Sequence, residues 1–395
     1  MKPIMHVWPE APKKKQGRLT LSARIELGDN SIPALWFQLP EAQESAIAKN
    51  HDSFAVATLL AAMGQSRQLI IHGEVSPSLL ANLEEFQAAW ASWLPAELSE
   101  IPITAEVERE PTVDPARSAA ISAFSGGVDS SYTAFCHAKG LNGRTQQPLK
   151  AGLFVHGFDI ALNQPEVFER ATQRAARMLS SLGMDVIPLA TNFRTVMDPL
   201  IHWEHSFGTG IAAGLLLLQN RFSQGLIPSS YTYRELTVPY GSNPVTDRLL
   251  GHRHFDIVHD GARHGRVDKI TAISHWPEAL EHLRVCWQGA EPDHNCCQCE
   301  KCIRNILTFR LIQSALPPCF ETDVSVEQIR RLRLRGGPLD ALKHLHSAAQ
   351  SQAINAPWVD AIAAAIRQSQ RTNFIRQHIK VPLKQRLKGV KKPQG

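Results

Sequence analysis

The chain has 395 residues, a formal net charge of +5 and 43% hydrophobic residues, which is the composition of an ordinary globular protein. It is long enough for two or three domains, each with a sizeable core. The mild net charge does not by itself indicate a nucleic-acid partner. The longest apolar run, residues 211–218, is too short to cross a bilayer.

The N-terminus and the cysteines bear on the cell compartment. Residues 1–15 contain no apolar segment of the kind that forms a signal peptide. Five of the seven cysteines lie between residues 286 and 302. Such crowding favours a metal site in a reducing compartment over disulfides. We therefore expect a cytoplasmic protein without a membrane segment.

The first third of the chain predicts a small α/β domain, residues 1–112. Residues 18–27 alternate between apolar and polar side chains, which indicates a half-buried strand. Further strands are predicted at 34–37 and 69–71. A helix at 54–63 is expected to be capped by Asp52, and another to begin at Pro77. No catalytic motif is present, and this domain could form a homodimer.

A short serine- and glycine-rich turn follows. Residues 119–124 predict a buried strand, and a helix is predicted to begin after the turn and to end at Gly140. Glycines let a backbone turn sharply and approach an oxyanion, while a helix N-terminus favours negative charge. The turn lacks the Gly-Lys-Ser/Thr ending of a P-loop and the dinucleotide-binding GxGxxG spacing. It consists of Ser125, Gly126, Gly127, Val128, Asp129 and Ser130.

Strand and helix signals then alternate, which predicts a doubly wound, mainly parallel sheet in a domain covering residues 113–320. Ligands bind such sheets at the carboxyl ends of the strands. That edge would carry the turn, His156 and a long polar loop, residues 227–247. Within this loop, Asp247 could help to hold Mg²⁺. Arg266 and Lys269 could neutralise phosphate, although isolated basic residues are more often solvated.

The cysteine cluster predicts a metal site. Cys296, Cys299 and Cys302 follow a Cys-x2-Cys-x2-Cys pattern that leads into a helix, and Cys286 ends a strand predicted at 283–285. Four thiolates suit a closed, tetrahedral Zn²⁺ site. Cys297 or His294 could replace one ligand, and an iron–sulfur cluster is the alternative.

The turn resembles the SGGxDS signature of the N-type ATP pyrophosphatases, the PP-loop family, at Ser125, Gly126, Gly127, Asp129 and Ser130. The resemblance implies an adenine nucleotide alpha hydrolase-like fold that binds ATP and Mg²⁺. It implies that Ser125 and Ser130 bind phosphate and that Asp129 orients the loop or the metal, so these three would be the catalytic residues. The loop from Ser125 through Val128 to Ser130 would hold the β,γ-pyrophosphate. His156 would lie near the adenine, with a structural histidine as the alternative.

The cysteine spacing resembles the zinc site of 7-cyano-7-deazaguanine synthases, which use ATP to convert a carboxylate to an amide and then a nitrile. The resemblance covers roughly residues 119–315. It implies an ATP-dependent ligase that forms AMP and pyrophosphate, and that adenylates a carboxylate or amide oxygen of a small molecule for attack by a nitrogen nucleophile. Two alternatives stay open: a sulfur-transferring enzyme acting on a small molecule or tRNA, and a non-catalytic nucleotide-binding scaffold.

Residues 321–395 predict a helical, basic extension with helices at 325–334, 338–350 and 357–370. Ser325 is the expected N-cap of the first helix, with Gln328 as its capping-box partner. From residue 367 to the end there are nine Lys or Arg and no Asp or Glu. This tail is a candidate nucleic-acid contact, with a solvated terminus as the alternative.

Overall fold

The structure, a computed structural model, describes residues 3–28, 30–289 and 291–376. The chain forms two compact units that divide between Arg284 and Val285. This division does not coincide with the predicted boundaries after residues 112 and 320. Most of the basic tail, residues 377–395, lies outside the described residues.

One sheet of eleven strands runs through the described part of the first unit, so the predicted α/β class with a mostly parallel sheet is confirmed. Its order is β11-β10-β7-β8-β9-β4-β3-β1-β5-β6, with β2 paired to β3. The strands are β1 (Ile4–Pro9), β2 (Lys13–Lys15), β3 (Arg18–Leu27), β4 (Asn30–Pro40), β5 (Gln68–Val75), β6 (Ile103–Glu108), β7 (Ala120–Ala123), β8 (Leu149–His156), β9 (Asp185–Thr191), β10 (Gln224–Pro228) and β11 (Asp256–Asp260).

The N-terminal strands extend the same sheet. Strand β4 pairs antiparallel with β9 through Phe37 opposite Thr191 and Gln38 opposite Ala190. The predicted strand at 18–27 is confirmed as β3, whose alternate side chains are buried as the period of two requires. Strands β1, β2 and β6 were not predicted. The pattern within a strand shows which face is buried but not which neighbour it pairs with.

The helices connect and cover these strands. Asp52 does not cap the first helix: His51 holds the N-cap position, and the buried Asp52 carboxylate accepts hydrogen bonds from Asn50 and from the backbone and hydroxyl of Ser76. The helices are α1 (Asp52–Gly64), α2 (Pro77–Trp93), α3 (Val128–Ala138), α4 (Pro165–Ser181), α5 (Phe193–Met197), α6 (Trp203–Leu216), α7 (Arg266–Ile273), α8 (Pro277–His282), α9 (Glu300–Leu311), α10 (Val326–Arg330), α11 (Gly336–Ser351) and α12 (Pro357–Ile375).

The order of the parallel strands determines where a ligand can bind. From β7 the chain proceeds through α3 to β8 and through α4 to β9, and it then returns through α6 to β10 on the other side of β7. Right-handed crossovers in opposite directions leave a crevice at the carboxyl ends of the two strands between which the direction reverses. The strand order therefore predicts a crevice at the carboxyl ends of β7 and β10.

The second unit begins at Val285. The strand predicted at 283–285 is not formed, since residues 283–289 have neither helix nor strand in the described structure. The predicted cap of α10 is confirmed: Ser325 Oγ accepts a hydrogen bond from Gln328 N, and Gln328 Oε1 accepts one from Ser325 N. Helix α10 nevertheless ends at Arg330, four residues earlier than predicted.

Among the described residues, no helix is long and apolar enough to span a membrane.

Candidate functional site

The turn predicted to bind an anion lies between the end of β7 and the start of α3. Gly126 has a φ of +72°, a left-handed conformation that favours glycine. Ser130 Oγ accepts a hydrogen bond from Ser125 N at 3.2 Å, and Ser125 Oγ accepts one from Gly127 N at 3.3 Å. The two hydroxyls lie 3.4 Å apart, and Ser125 is exposed to solvent. The sequence motif therefore folds into an open turn with its hydroxyls together at the helix N-terminus.

Asp129, in the first turn of α3, is held by two cations. Lys269 Nζ lies 2.9 Å from Asp129 Oδ1, and Arg266 Nη2 lies 3.0 Å from Asp129 Oδ2. Burial by itself would raise the pKa of Asp129, but the nearby Arg266 and Lys269 outweigh it and lower that pKa below its usual value. The carboxylate is therefore ionised at neutral pH, and the group of three carries a net positive charge.

Lys269 is the central residue of this group. Its side chain is 2% exposed, and Nζ also donates to Ser229 O at 2.6 Å and to Ser229 Oγ at 3.1 Å. Ser229 follows β10, so Lys269 joins the two strand ends that border the crevice. The expectation that Lys269 is solvated was wrong. A usable signal was its position in α7, where it shares a buried face with Ile270 and Ile273.

Arg284, the last residue of the first unit, forms hydrogen bonds with the turn. Its backbone N–H donates to Gly126 O at 2.8 Å, and its Nε donates to Ser125 O at 3.4 Å. Its Nη2 lies 3.4 Å from Asp159 Oδ2, and the Arg284 side chain is 8% exposed. Nothing in the local sequence around Arg284 signals this role, because its partners are far away in the chain.

His156 ends β8 and has the contacts of a packing residue. Its Nε2 lies 2.9 Å from Ala161 O, and its ring stacks on Phe168 at a centroid distance of 4.3 Å. Burial lowers the pKa of His156 below its usual value. The structure thus brings the turn residues together. The ring of His156, the predicted adenine contact, instead contacts Ala161 and Phe168.

Asp247 is bound within the long loop and orients a histidine. Its Oδ1 accepts from Asn243 N at 3.0 Å, while its Oδ2 accepts from Ser242 Oγ at 2.7 Å and lies 2.7 Å from His259 Nδ1. Asp247 is fully buried. With Nδ1 carrying the proton donated to Asp247, His259 Nε2 is left as an acceptor at the carboxyl end of β11. Sequence reasoning missed His259, because its partner lies in another segment.

The Mg²⁺ expected beside the turn does not fit the two carboxylates proposed for it. Both oxygens of Asp129 are paired with cations, and both oxygens of Asp247 accept hydrogen bonds within the fold. A hard cation needs oxygen ligands that it does not share with Lys or Arg at hydrogen-bond distance. Neither residue therefore forms a cation site, and the net positive charge of Asp129 with Arg266 and Lys269 suits an anion.

The long loop also places aromatic rings near the crevice. Tyr240 contacts Tyr231 and Phe207 edge-on, at centroid distances of 5.1 and 5.0 Å. The loop can approach α6 this closely because Gly208 has no side chain: a Cβ there would collide with Gly241 O. Burial raises the pKa of Tyr240 to about 12, so its hydroxyl stays protonated at neutral pH.

In the second unit, the four predicted cysteines come together. The Sγ atoms of Cys286, Cys296, Cys299 and Cys302 all lie within 4.8 Å of one another. Three backbone N–H groups donate to these sulfurs: Cys296 N to Cys286 Sγ at 3.3 Å, Cys299 N to Cys296 Sγ at 3.3 Å and Cys302 N to Cys299 Sγ at 3.4 Å. Hydrogen bonds from the thiols of Cys299 and Cys302 lower the pKa of Cys286. The set can bind a metal such as zinc.

The two alternative ligands lie outside this set. Cys297 is 3% exposed with a φ of +54°, and its Sγ donates to Asn295 O at 3.5 Å. His294 instead groups with Glu291 and Asp293. Cys296 and Cys299 are half-buried and line an open cavity of about 710 Å³, so the thiols can be reached from solvent.

Comparisons with protein-family models, with curated proteins and with solved structures find no match to this chain. The resemblance to PP-loop enzymes and to the zinc-bearing synthases stays a prediction.

Proposed function

We propose that this protein is an ATP-dependent enzyme that releases pyrophosphate and transfers AMP to a carboxylate or amide oxygen of a small molecule, which a nitrogen nucleophile then attacks. The observation that carries the proposal is the crevice between β7 and β10, where an open Ser-Gly-Gly turn meets a buried lysine. Backbone N–H groups, hydroxyls and fixed cations are what a triphosphate needs, and the PP-loop resemblance agrees with them.

The charge of the crevice supports cleavage at the α-phosphorus. In this proposal the turn of Ser125–Ser130 and the hydroxyls of Ser125 and Ser130 bind the β,γ-pyrophosphate. Arg266 and Lys269 neutralise the charge that develops when it leaves. Asp129 positions these cations, since it pairs with both at about 3 Å. Preorganised positive charge of this kind stabilises the leaving pyrophosphate and so lowers the barrier to transfer of the adenylyl group, without acid–base chemistry at phosphorus.

His259 is the group that we assign to the second step. A nitrogen nucleophile that attacks the adenylated carbon must lose a proton as the C–N bond forms and the C–O bond to AMP breaks. The Nε2 acceptor of His259 takes this proton, and buried Asp247 holds the ring in the required tautomer 2.7 Å away. Ile227, opposite His259 in the sheet, is two residues before Ser229, so His259 lies near the carboxyl end of β11, with its side chain 6% exposed.

The state of the thiols favours nitrogen over sulfur as the nucleophile. Burial raises the pKa of Cys136 to about 11 and that of Cys319 to about 12, so neither is a thiolate at neutral pH. Cys297 is buried, and the other four cysteines form the metal-binding set. A sulfur-transferring enzyme that relies on its own reactive thiol would need at least one that is exposed and ionised.

The test is to incubate the full chain with Mg-ATP, a panel of carboxylic acids and ammonium, and to identify the nucleotide products. We expect AMP and pyrophosphate, and a loss of turnover by orders of magnitude in Ser125→Ala. The matched control is Ser180→Ala, an exposed serine at the end of α4. Products of ADP and phosphate would contradict the proposal. Nucleotide binding without any turnover would instead indicate the scaffold alternative.

A further inference from the structure

Charge is unevenly distributed along this chain. Residues 325–395 contain fourteen Lys or Arg and three Asp or Glu, a net charge of +11, although the whole chain carries only +5. The preceding 324 residues are therefore acidic, with a net charge of −6. Segregation of this size is typical of proteins that bind a polyanion through one segment.

Within the described part of this segment, the positive charge is concentrated in residues 331–335, between α10 and α11, which we name the arginine strap. Its leucines are buried, with Leu332 8% and Leu334 7% exposed. Its arginines Arg331, Arg333 and Arg335 are exposed, as is Arg330 just before the strap. The strap therefore exposes several guanidinium groups within a short segment, while its leucines face inward.

The strap is fixed in place by α12. Leu334 N donates to Ser369 Oγ at 3.0 Å, and Asn373 Nδ2 donates to Leu334 O at 3.1 Å. Arg333 Nη1 donates to the carbonyls of Arg330 and Leu332, both at 2.7 Å. The strap is thus fixed beside the C-terminal half of α12.

Little negative charge opposes this surface. Among the described residues, the ion pair formed by these four arginines is the exposed Arg331–Glu327 contact at 2.9 Å, which water and salt weaken. The neighbouring end of α12 adds the exposed Arg371 and Arg376, together with Phe374, whose side chain is 60% exposed. An exposed aromatic ring among arginines is the combination on which single-stranded bases stack.

We propose that the arginine strap and the end of α12 bind the phosphate backbone of a single-stranded nucleic acid, with Phe374 stacking on a base. Arginine suits this role because its planar fork pairs with phosphate oxygens through two hydrogen bonds. An anionic membrane fits less well, because the leucines of the strap face inward and leave no apolar side to insert. This binding is independent of the proposed ATP chemistry.

The test measures binding of a fluorescent, mixed-sequence 20-nucleotide RNA to the full chain by anisotropy, over a salt series. The variant replaces Arg330, Arg331, Arg333 and Arg335 by Gln. We expect at least about a tenfold weaker affinity at 0.1 M salt, and a slope of log K against log salt that is smaller by about 3, since each phosphate contact contributes about 0.7. The matched control replaces four exposed arginines of the first unit by Gln: Arg144, Arg234, Arg248 and Arg253.

Two further measurements make the outcome decisive. Phe374→Ala should weaken binding of single-stranded RNA several-fold while changing duplex binding little, since only unpaired bases can stack. Circular dichroism and melting should change little in the strap variant, because the bonds that join the Leu334 backbone to Ser369 and Asn373 are kept. The proposal is overturned if wild-type and strap variant bind RNA equally, if the control loses as much, or if only vesicles with anionic lipid lose affinity for the variant.

Discussion

The turn at Ser125–Ser130 and the cysteine cluster were both visible as motifs, yet they depend on the fold in different ways. All four thiols of the candidate metal site come from residues 286–302, a single short segment. The turn instead acquires its charges from far away: Arg266 and Lys269 are 137 and 140 residues from Asp129. When a site is built from neighbouring residues, its sequence motif includes all of them. When a site is assembled across a sheet, the motif includes only some of its residues.

The two sites also differ in the charge they attract. The crevice surrounds one carboxylate with two cations and adds the N-terminus of α3, so it suits an anion. The cluster gathers four thiols that become anions when they bind a metal, so it suits a cation. Substitutions at the two sites test which charge each of them binds.

Loss of one thiol should have the largest effect. Cys302→Ser removes a fully buried ligand, and structural Zn²⁺ in peptides contributes about 10–16 kcal/mol of apparent folding free energy at neutral pH. We expect metal content, measured by mass spectrometry, to fall from about one ion per chain to near zero, and the second unit to lose cooperative melting. Cys297→Ala is the matched control and should keep its metal. Equal metal loss in both variants would contradict the ligand assignment.

Neutralising the buried lysine should come next. Lys269→Met leaves Asp129 with Arg266 alone, and breaking a buried ion pair costs about 3–5 kcal/mol. We expect a lower free energy of unfolding in urea and turnover reduced by orders of magnitude. Lys139→Met, an exposed lysine after α3, is the control.

Removing both charges should separate stability from catalysis. The double variant Lys269→Met with Asp129→Asn leaves no lone carboxylate at the turn, so it should recover part of the stability but none of the turnover. If the double variant recovers turnover, the positive charge of the crevice is not what the reaction uses.

Replacing His259 should slow only the second step of the proposed reaction, the attack by the nitrogen nucleophile. His259→Gln cannot accept a proton, and loss of a general base typically costs 10²–10⁴-fold in rate. We expect amide formation to slow by this factor while exchange of labelled pyrophosphate into ATP stays near wild type. Asp247→Asn should likewise slow amide formation and leave the exchange unchanged, because it weakens the hydrogen bond that orients the His259 ring. Equal slowing of both half-reactions would remove His259 from the second step.

Acid should produce the smallest effect. The pKa of Asp129 is lower in the folded protein than its unfolded value of about 3.9, so the native state binds fewer protons and stability falls as pH drops through the folded pKa. The free energy of unfolding should therefore decrease between about pH 5 and pH 3. Asp129→Asn should lose less stability over this range than wild type, and an identical loss would show that the ion pairs with Asp129 contribute nothing.

Several features follow from the sequence alone, because they depend on residues close together in the chain. The strand, turn and helix around Ser125 need only an apolar run, two glycines and a helix start. The capping box of Ser325 and Gln328 and the Cys-x2-Cys-x2-Cys turn are equally local, since their hydrogen bonds span three residues. These elements were predicted correctly for that reason.

The tertiary structure decided everything that depends on which strand lies beside which. The single sheet exists because β4 pairs with β9, and the crevice because the chain returns to the other side of β7. That order brings Lys269 to Ser229 and to Asp129, Arg284 to the turn, and Asp247 to His259. Side-chain type and spacing predict which face of a segment is buried. Contacts across the sheet depend on strand order, which local sequence patterns do not predict.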